Sequence, residues 1–350
     1  MSSTDGQRIV RTRPLLSPAI LAEEYPRSDS ATAFVADQRR SVEDVLSGND
    51  TRLLVVVGPC SIHDIDAALR YGERLRTVAD RLAERLQIVM RVYFEKPRTI
   101  VGWKGLINDP DRDGSYRINH GLRLARKLLV DLTEMGLPVG TEFLDTTFGQ
   151  FYSDLVSWGA IGARTAESQI HRELASGLSM PVGIKNRTDG NVRVAIDAIL
   201  SAGHSHLFPS LTKEGAPAIF QTAGNDHAHL ILRGGRTGPN YTTEHVRDAA
   251  EQLRDSGVRD TIMVDCSHGN SNKDPMRQPV VAEDVIRQRR VSRSDDSATS
   301  CPIRGVMIES HLVGGRQDID DQDLVFGKSI TDACLSFEQT ETLLDRLADG

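Results

Sequence analysis

Short runs of β-branched and apolar residues alternate with helix-length segments from Leu53 almost to the end of the chain, and this alternation limits the possible folds most strongly. Between the runs, apolar residues recur three or four positions apart, as expected for amphipathic helices. Strands that alternate with helices pair in parallel, because each helix returns the chain across the sheet. The pattern therefore predicts an α/β protein. The runs are LLVVVG at Leu53, IVMRVYF at Ile88, PVGTEFL at Pro138, GAIGA at Gly159, PVGIK at Pro181, HLFPSL at His206, HLILRG at His229, TIMVDC at Thr261 and GVMIES at Gly305.

The number of runs favours a closed barrel over an open sheet. There is one run too many for a (β/α)8 barrel, and Pro209 makes HLFPSL unsuitable as a central strand. We therefore assign that run to a small extra hairpin and predict a TIM barrel over residues 51–350. A doubly wound open sheet is the alternative, but no G-x-G-x-x-G follows the first run, which argues against a dinucleotide-binding fold.

Residues 1–50 differ in character and predict an N-terminal helical extension. A proline-containing stretch precedes one helix that Ser30 can cap and Gly48 can end. Its apolar side, which includes Val42 and Val45, must pack on the barrel or on another subunit. We favour a subunit contact, and we expect an oligomer-forming or regulatory extension in a homodimer or homotetramer.

Composition excludes several classes of protein. Acidic residues outnumber basic ones by 49 to 42, for a net charge of −7, which makes nucleic acid a poor partner. No apolar run reaches the roughly twenty residues of a membrane span, and the start lacks the apolar core of a signal peptide. We expect a cytoplasmic protein that does not bind membranes. The four cysteines are far apart and predict reduced thiols: Cys60, Cys266, Cys301 and Cys334.

The run at Ile88 ends in a concentration of positive charge. Arg91 lies within a predicted buried strand, where a guanidinium is costly unless an anion meets it. A protein carboxylate such as Glu142 or Glu309, or a bound ligand, could supply that anion. Lys96 and Arg98 follow closely, so the segment also predicts a seat for a small, multiply charged anion.

Polar residues stand at or just beyond the carboxyl ends of most other runs. Active sites of (β/α)8 barrels are assembled on that face, so these side chains are expected to converge. Each one alone has an ordinary explanation, for example Cys60 as a small core residue or Glu142 as a counter-ion. The full set is Cys60, Arg91, Lys96, Glu142, Arg164, Lys185, Arg233, His268 and Glu309.

These residues divide into two chemical groups. Five cations exceed what nearby carboxylates can neutralise, and they predict a ligand with at least two anionic groups, such as phosphate plus carboxylate. The other group offers a sulfur, an imidazole and carboxylates, which suit a borderline divalent metal such as Mn, Fe, Co or Zn. Its members are Cys60, His268, Glu309 and, further along, Asp332, although the pattern around Asp332 alone is also that of a helix start.

The chain contains a series of long motifs: GPCSIHD, RVYFEKPRTIVGWKGLINDP, GTEFLD, SWGAIGARTAESQIHRELASGLS, PVGIKNRTDG, ILRGG, DCSHGNSNKD, GVMIESHL and GKSITDAC. These motifs resemble type I 3-deoxy-D-arabino-heptulosonate 7-phosphate synthases, in the subclass regulated by aromatic amino acids. The similarity extends from about Pro14 to the C-terminus. It implies metal-dependent condensation of phosphoenolpyruvate with erythrose 4-phosphate, with release of phosphate, at the start of the shikimate pathway.

The resemblance also implies roles for individual residues. Lys96 is the implied proton carrier, since neighbouring cations would lower its pKa, with His268 as the alternative. Cys60 is implied in catalysis through the metal. The implied metal ligands are Cys60, His268, Glu309 and Asp332; the phosphoenolpyruvate site is Arg91, Lys96, Arg164, Lys185 and Arg233, with Glu142 beside it; the aldose phosphate contacts are Pro97, Arg98 and Thr99.

Feedback inhibition by an aromatic amino acid is implied as well. The corresponding inhibitor pocket falls on Asp145, Gln150 and Ser179. Ser179 matches the family, whereas Gly149 stands where relatives usually have proline.

Two other functions compete with this interpretation. A sister enzyme could use arabinose 5-phosphate or a mannosamine as the acceptor, but the KPRT sequence around Arg98 favours the four-carbon aldose. An inactive relative that binds a partner or senses amino acids would be expected to lack a metal ligand or a cation, and every one of these residues is present.

Overall fold

The computed structural model of the protein describes residues 4–98, 100–294, 301–321 and 323–350. Eight parallel strands form a closed barrel in the order β1-β10-β9-β8-β5-β4-β3-β2, which confirms the predicted (β/α)8 architecture and excludes the open sheet. The barrel strands are β1 (Leu53–Gly58), β2 (Leu86–Arg91), β3 (Val139–Glu142), β4 (Trp158–Ile161), β5 (Val182–Lys185), β8 (Ala228–Leu232), β9 (Ile262–Asp265) and β10 (Ile303–Glu309).

Among the described residues, four further strands lie outside the barrel. β6 (Leu207–Leu211) and β7 (Pro217–Gln221) form an antiparallel hairpin, as predicted from Pro209. β11 (Val313–Arg316) and β12 (Lys328–Ser329) form a small parallel sheet after the last barrel strand, which was not predicted from the sequence. This second sheet matters for function because it lies on the loop that follows β10.

Ten α-helices accompany the strands in the described part of the chain, and amphipathic spacing explains the long ones. They are α1 (Pro18–Glu24), α2 (Asp29–Ser47), α3 (Ile65–Arg81), α4 (Ile118–Glu134), α5 (Gly149–Tyr152), α6 (Gln169–Gly177), α7 (Arg193–Ala202), α8 (Thr243–Asp255), α9 (Gln278–Ser294) and α10 (Phe337–Ala348). None of these helices is both long enough and apolar enough to cross a membrane, within the residues that the structure describes.

Strand side chains alternate between two cores. Leu53, Val55 and Val57 of β1 belong to the large core shared with the surrounding helices. Leu54 and Val56 point the other way, into a smaller core that fills the barrel. Strands buried on both faces in this way are typical of parallel barrels, and they explain why the runs are continuous rather than alternating.

Helix α2 closes the end of the barrel opposite the strands' carboxyl ends. Its residues Val42, Val45 and Leu46 are buried in the core that fills the barrel. The Thr261 hydroxyl donates a hydrogen bond to the Leu46 carbonyl at 2.9 Å. The expectation that this apolar side contacts another subunit is therefore wrong, because the same chain covers it.

The ends of α2 show a second difference. Ser28, and not Ser30, caps the helix: its hydroxyl accepts a hydrogen bond from the Ala31 backbone amide. Gly48 ends the helix as predicted, with a φ of 81° that favours glycine. Two serines two positions apart fit the same pattern, so the sequence does not distinguish between them.

Candidate active site

A cavity of about 260 Å³ opens at the carboxyl ends of the barrel strands. Its walls carry eight cationic side chains and three carboxylates among the described residues, so it strongly favours anions. The cations are Arg91, Lys96, Arg98, Arg164, Lys185, Arg233, Lys273 and Arg316; the carboxylates are Glu95, Glu142 and Asp332. The predicted residues Pro97 and His268 also line it, whereas Thr99 lies outside the described residues.

Three of the four predicted metal ligands meet beside this cavity. The sulfur of Cys60 and carboxylate oxygens of Glu309 and Asp332 lie within 4.8 Å of one another. Barrel closure brings the first two together, because Gly58 at the end of β1 pairs with Glu309 at the end of β10. A thiol with two carboxylates suits a borderline divalent metal, so the residues present fit the predicted ion.

His268 completes the group from the adjacent strand end. Its Nε2 atom lies 3.8 Å from Glu309 Oε1, while its Nδ1 atom lies 2.9 Å from Asp265 Oδ2. A carboxylate on one ring nitrogen fixes the orientation of the ring and leaves the other nitrogen for a metal. Asp265, at the end of β9, was missed in the sequence, although the same rule of polar strand ends identifies it.

Asp265 also connects the metal ligands to the cation cluster. Its carboxylate is fully buried and lies 3.4 Å from Lys185 Nζ. Burial alone would raise the pKa of Asp265, but His268 and Lys185 outweigh burial and hold that pKa well below its usual value. The carboxylate therefore stays ionised and orients both partners.

Arg91 occupies the floor of the cavity with only 1 % of its surface exposed. Its guanidinium forms an ion pair with Glu309 at 3.1 Å and stacks over the Tyr93 ring at 3.5 Å. It also donates to the carbonyls of Pro59 and Cys60. The sequence left open whether a protein carboxylate or a bound ligand neutralises Arg91. The structure shows that Glu309 does so, and Arg91 still lines the cavity where a ligand could bind.

Lys96 donates a hydrogen bond to the sulfur of Cys60 at 2.9 Å. Burial would lower the pKa of Lys96, but the sulfur of Cys60, which accepts its hydrogen bond, and the Glu309 carboxylate outweigh burial and raise that pKa. Arg91 does lower the pKa of Lys96, as expected of a neighbouring cation, but the expected net lowering is wrong. The sequence could not reveal this, because Cys60 and Glu309 lie far from Lys96 along the chain.

Glu95 is a buried acidic residue on the cavity wall that was not predicted from the sequence. Both of its oxygens accept from the Asp145 backbone amide at 3.3 Å. Burial raises the pKa of Glu95 from its ordinary 4.5 to about 8. Glu95 thus joins the loop after β2 to the loop after β3 and is largely protonated at neutral pH.

The three predicted regulatory residues are only partly brought together. The carboxylate of Asp145 accepts from the amides of Thr147 and Phe148, just before α5. Gln150, within α5, accepts a hydrogen bond from Lys213 of the turn between β6 and β7 through its carbonyl. Ser179 is exposed between α6 and β5, and no hydrogen bond joins it to the other two within the described residues.

Comparisons with known proteins show similarity along almost the whole chain. A model of the DAHP synthetase I family matches residues 29–345. The Trp-sensitive phospho-2-dehydro-3-deoxyheptonate aldolase of Escherichia coli (strain K12) is 52% identical over 351 residues, which cover 100% of this chain and 99% of that protein. The Phe-sensitive protein of the same organism is 52% identical over 347 residues, covering 99% and 97%.

A solved structure is similar over nearly the whole fold. It is that of phospho-2-dehydro-3-deoxyheptonate aldolase from Francisella tularensis SCHU S4, with a TM-score of 0.93 and 49% identity. The match covers 97% of this chain and 98% of that one.

The raised pKa of Glu95 predicts a pH-dependent stability. Between pH 4.5 and about 8 the folded protein keeps a proton that the unfolded chain releases, so the free energy of unfolding falls as pH rises. The Glu95→Gln side chain has no proton to release, so its free energy of unfolding does not fall in this way. We expect the difference in free energy of unfolding, variant minus wild type, to increase by about 1.4 kcal/mol per pH unit across this range, measured by urea unfolding of chelator-treated protein.

Glu84→Gln is the matched control, because Glu84 is exposed. Its unfolding free energy should follow the wild type at every pH. Parallel curves for Glu95→Gln and the wild type would contradict a protonated Glu95.

Proposed function

Since this chain belongs to the DAHP synthetase I family, we propose that it condenses phosphoenolpyruvate with erythrose 4-phosphate, using a bound divalent metal ion. The products are 3-deoxy-D-arabino-heptulosonate 7-phosphate and inorganic phosphate. The observation that carries this proposal is a cavity lined by eight cations, next to a thiol-carboxylate cluster that contributes Asp332 to the cavity wall. Two phosphates and one carboxylate supply the anions that such a cavity requires.

Phosphoenolpyruvate occupies the deeper part of the cavity in this proposal. Arg91 and Lys185 are buried there, and the protein interior screens their charges only weakly. Arg164 and Arg233 add two guanidinium groups that can hold a carboxylate or phosphate through paired hydrogen bonds. Holding the enol ester on several cations fixes the direction in which its C3 carbon points.

Cys60, His268, Glu309 and Asp332 would hold the metal. When bound, the metal supplies Lewis-acid polarisation of the aldehyde oxygen of the aldose. Asp265 holds the His268 ring so that Nε2 is left for this purpose, and we therefore assign His268 to metal binding rather than to proton transfer. Mn, Fe, Co and Zn suit a site that includes a thiolate.

Lys96 is the proton donor in this proposal. Its raised pKa keeps the ammonium group protonated, and its contact with Cys60 places that proton beside the reacting aldehyde. C3 of phosphoenolpyruvate forms the new carbon–carbon bond, water adds at C2, and the hemiketal phosphate then loses inorganic phosphate. Glu142, buried on the cavity wall, is the carboxylate that can accept a proton from that water.

Arg98 binds the phosphate of the aldose, together with Pro97 and Thr99. Its Nε donates to the Trp103 carbonyl at 2.7 Å, which leaves the two terminal nitrogens for a ligand. The short KPRT segment supports a four-carbon acceptor over arabinose 5-phosphate or a mannosamine.

Inhibition by an aromatic amino acid at Asp145, Gln150 and Ser179 forms a second part of the proposal. The names of the relatives describe Trp-sensitive and Phe-sensitive proteins. A chain of hydrogen bonds in this protein supports such control: Lys213 holds Gln150, and Asp145 holds both the start of α5 and Glu95 on the cavity wall. A ligand that displaces this segment would displace Glu95.

Assembly into a homodimer or homotetramer is the third part. Apolar side chains are exposed on the segment before α1, where Ile9 is 66% and Val10 100% exposed. The hairpin exposes Leu207 and Ile219 at 67% and 77%. Isolated apolar residues are common on surfaces, but pairs on two projecting elements favour contact with another copy.

Removal of the metal should abolish the reaction. We expect wild-type protein to release phosphate from a mixture of the two substrates, to lose this activity with chelator and to regain it with Mn, Fe, Co or Zn. Cys60→Ala should bind no metal and lose more than about a hundredfold in activity. Cys301→Ala, at a half-buried cysteine outside the cluster, should retain both properties. A fully active, metal-free Cys60→Ala protein would defeat this site.

Inhibition is tested with tryptophan, phenylalanine and tyrosine separately. We expect one of the three to inhibit, and Ser179→Leu to raise its half-inhibiting concentration at least about tenfold by overlapping the ligand. Activity without inhibitor should not change, since Ser179 does not line the catalytic cavity. Ala33→Leu, at an exposed position on α2, should be inhibited like the wild type. Unaltered sensitivity of Ser179→Leu would exclude this location.

Sedimentation velocity tests the assembly. We expect a mass of two or four chains for the wild type, and a shift toward one chain when Val10→Asp and Ile219→Asp place charges in the contact. A wild-type protein that sediments as a single chain at micromolar concentration would refute it.

A further inference from the structure

The cavity cations differ in depth, and this difference divides the cavity into a floor and a mouth. Arg91 and Lys185 form the floor, with 1% and 3% of their surfaces exposed. Arg98 and Arg316 are both exposed and line the same cavity. Arg98 follows β2, while Arg316 ends β11 on the loop after β10. Because β2 and β10 are the two neighbours of β1 in the barrel, these arginines approach from opposite sides of the strand that leads to Cys60.

The backbone of Arg316 is tied to the segment that carries Asp332. The amide of Gly315 donates to the Cys334 carbonyl at 2.8 Å, and the amide of Cys334 donates back at 3.1 Å. On the other side of Arg316, the amide of Gln317 donates to the Ser329 carbonyl at 2.8 Å. Arg316 is therefore fixed relative to one of the proposed metal ligands.

The buried side chain of Gln317 connects the two ends of this loop. The Gln317 amide group donates to the carbonyls of Val325 and Lys328, and its oxygen accepts from the Val325 amide. All three hydrogen bonds span the loop between β11 and β12. Such a loop can present the Arg316 side chain at low entropic cost when a ligand arrives.

The guanidinium of Arg316 has no hydrogen bond or ion pair with any residue that the structure describes. Lys273, another exposed cation of the cavity, is by contrast paired with Asp332 at 3.1 Å. The nearby carboxylates of Asp318 and Asp321 do not pair with Arg316. They accept hydrogen bonds from backbone amides of the turn that follows it. A free guanidinium at the edge of an anion-binding cavity is suited to bind an oxyanion through two hydrogen bonds.

We propose that Arg316 binds the phosphoryl group of the aldose phosphate, facing Arg98 across the mouth, and so selects phosphorylated aldoses. This inference rests on the proposed function. The aldehyde end of the aldose has to reach the cluster of Cys60, Glu309 and Asp332, and the floor cations are taken by the other substrate. The phosphoryl end then extends toward the mouth, where Arg98 and Arg316 stand on either side.

The test separates the two substrates kinetically. For Arg316→Gln we expect the KM for erythrose 4-phosphate to rise about tenfold, as for loss of one charged hydrogen-bonding contact. The KM for phosphoenolpyruvate and kcat should stay within about twofold, since the floor is untouched. The preference for erythrose 4-phosphate over unphosphorylated erythrose, as a ratio of kcat/KM, should fall about tenfold as well. Arg316→Lys should recover part of each change because it keeps the charge.

Lys328→Gln is the matched control. It removes one positive charge from the same small sheet, and Lys328 does not line the cavity. Both KM values should equal those of the wild type, and thermal unfolding should show that both variants are folded.

The outcomes distinguish this inference from the function on which it rests. An active wild type with an unchanged KM for the aldose phosphate in Arg316→Gln would overturn the inference alone. Equal increases in both KM values, or an equal effect of Lys328→Gln, would also overturn it, since a general electrostatic effect would then explain the data. A wild type without activity would refute the proposed function and this inference together.

Discussion

The buried guanidinium of Arg91 connects the proposed metal ligands of this barrel with its anion-binding cavity. Arg91 ends β2, donates to the Glu309 carboxylate at the end of β10 in an ion pair and also donates to the carbonyl of Cys60 after β1. Removing one partner of a buried ion pair typically costs about 3–5 kcal/mol, because the other charge remains in a medium that solvates it poorly. The same side chain thus supports the closure of the barrel, the position of two proposed metal ligands and the positive potential of the cavity floor.

Much of the fold and of the site followed from one rule about strand ends. Parallel strands of a barrel bring their carboxyl ends to one face, so polar residues after Leu53–Gly58 and Ile303–Glu309 had to meet there. The rule placed most of the cavity without any distance information. It failed for Arg316, which is seven positions beyond a strand end and reaches the cavity only through the unpredicted sheet of β11 and β12.

Other differences arose where a local pattern has two possible partners. The apolar stripe of α2 shows that the helix must be covered, but not whether the barrel or a second chain covers it. Likewise, the charges around Lys96 in the sequence are positive, whereas the groups that raise its pKa are Cys60 and Glu309 from distant segments. The local sequence shows that an apolar stripe must be buried or that a charge must be neutralised. Which distant residues do this is known only from the folded structure.

The position of α2 has a consequence for biosynthesis. The helix is translated early, yet its last turn bonds to Thr261, which lies 215 positions later. At roughly 5–20 residues per second, ribosomes need about 10 to 40 seconds to add that stretch. Throughout this interval the emerging chain holds an uncovered apolar helix with no barrel to receive it. Chaperones that shield nascent segments would act on this end of the polypeptide, and synonymous codons that slow the ribosome between the two would prolong its exposure.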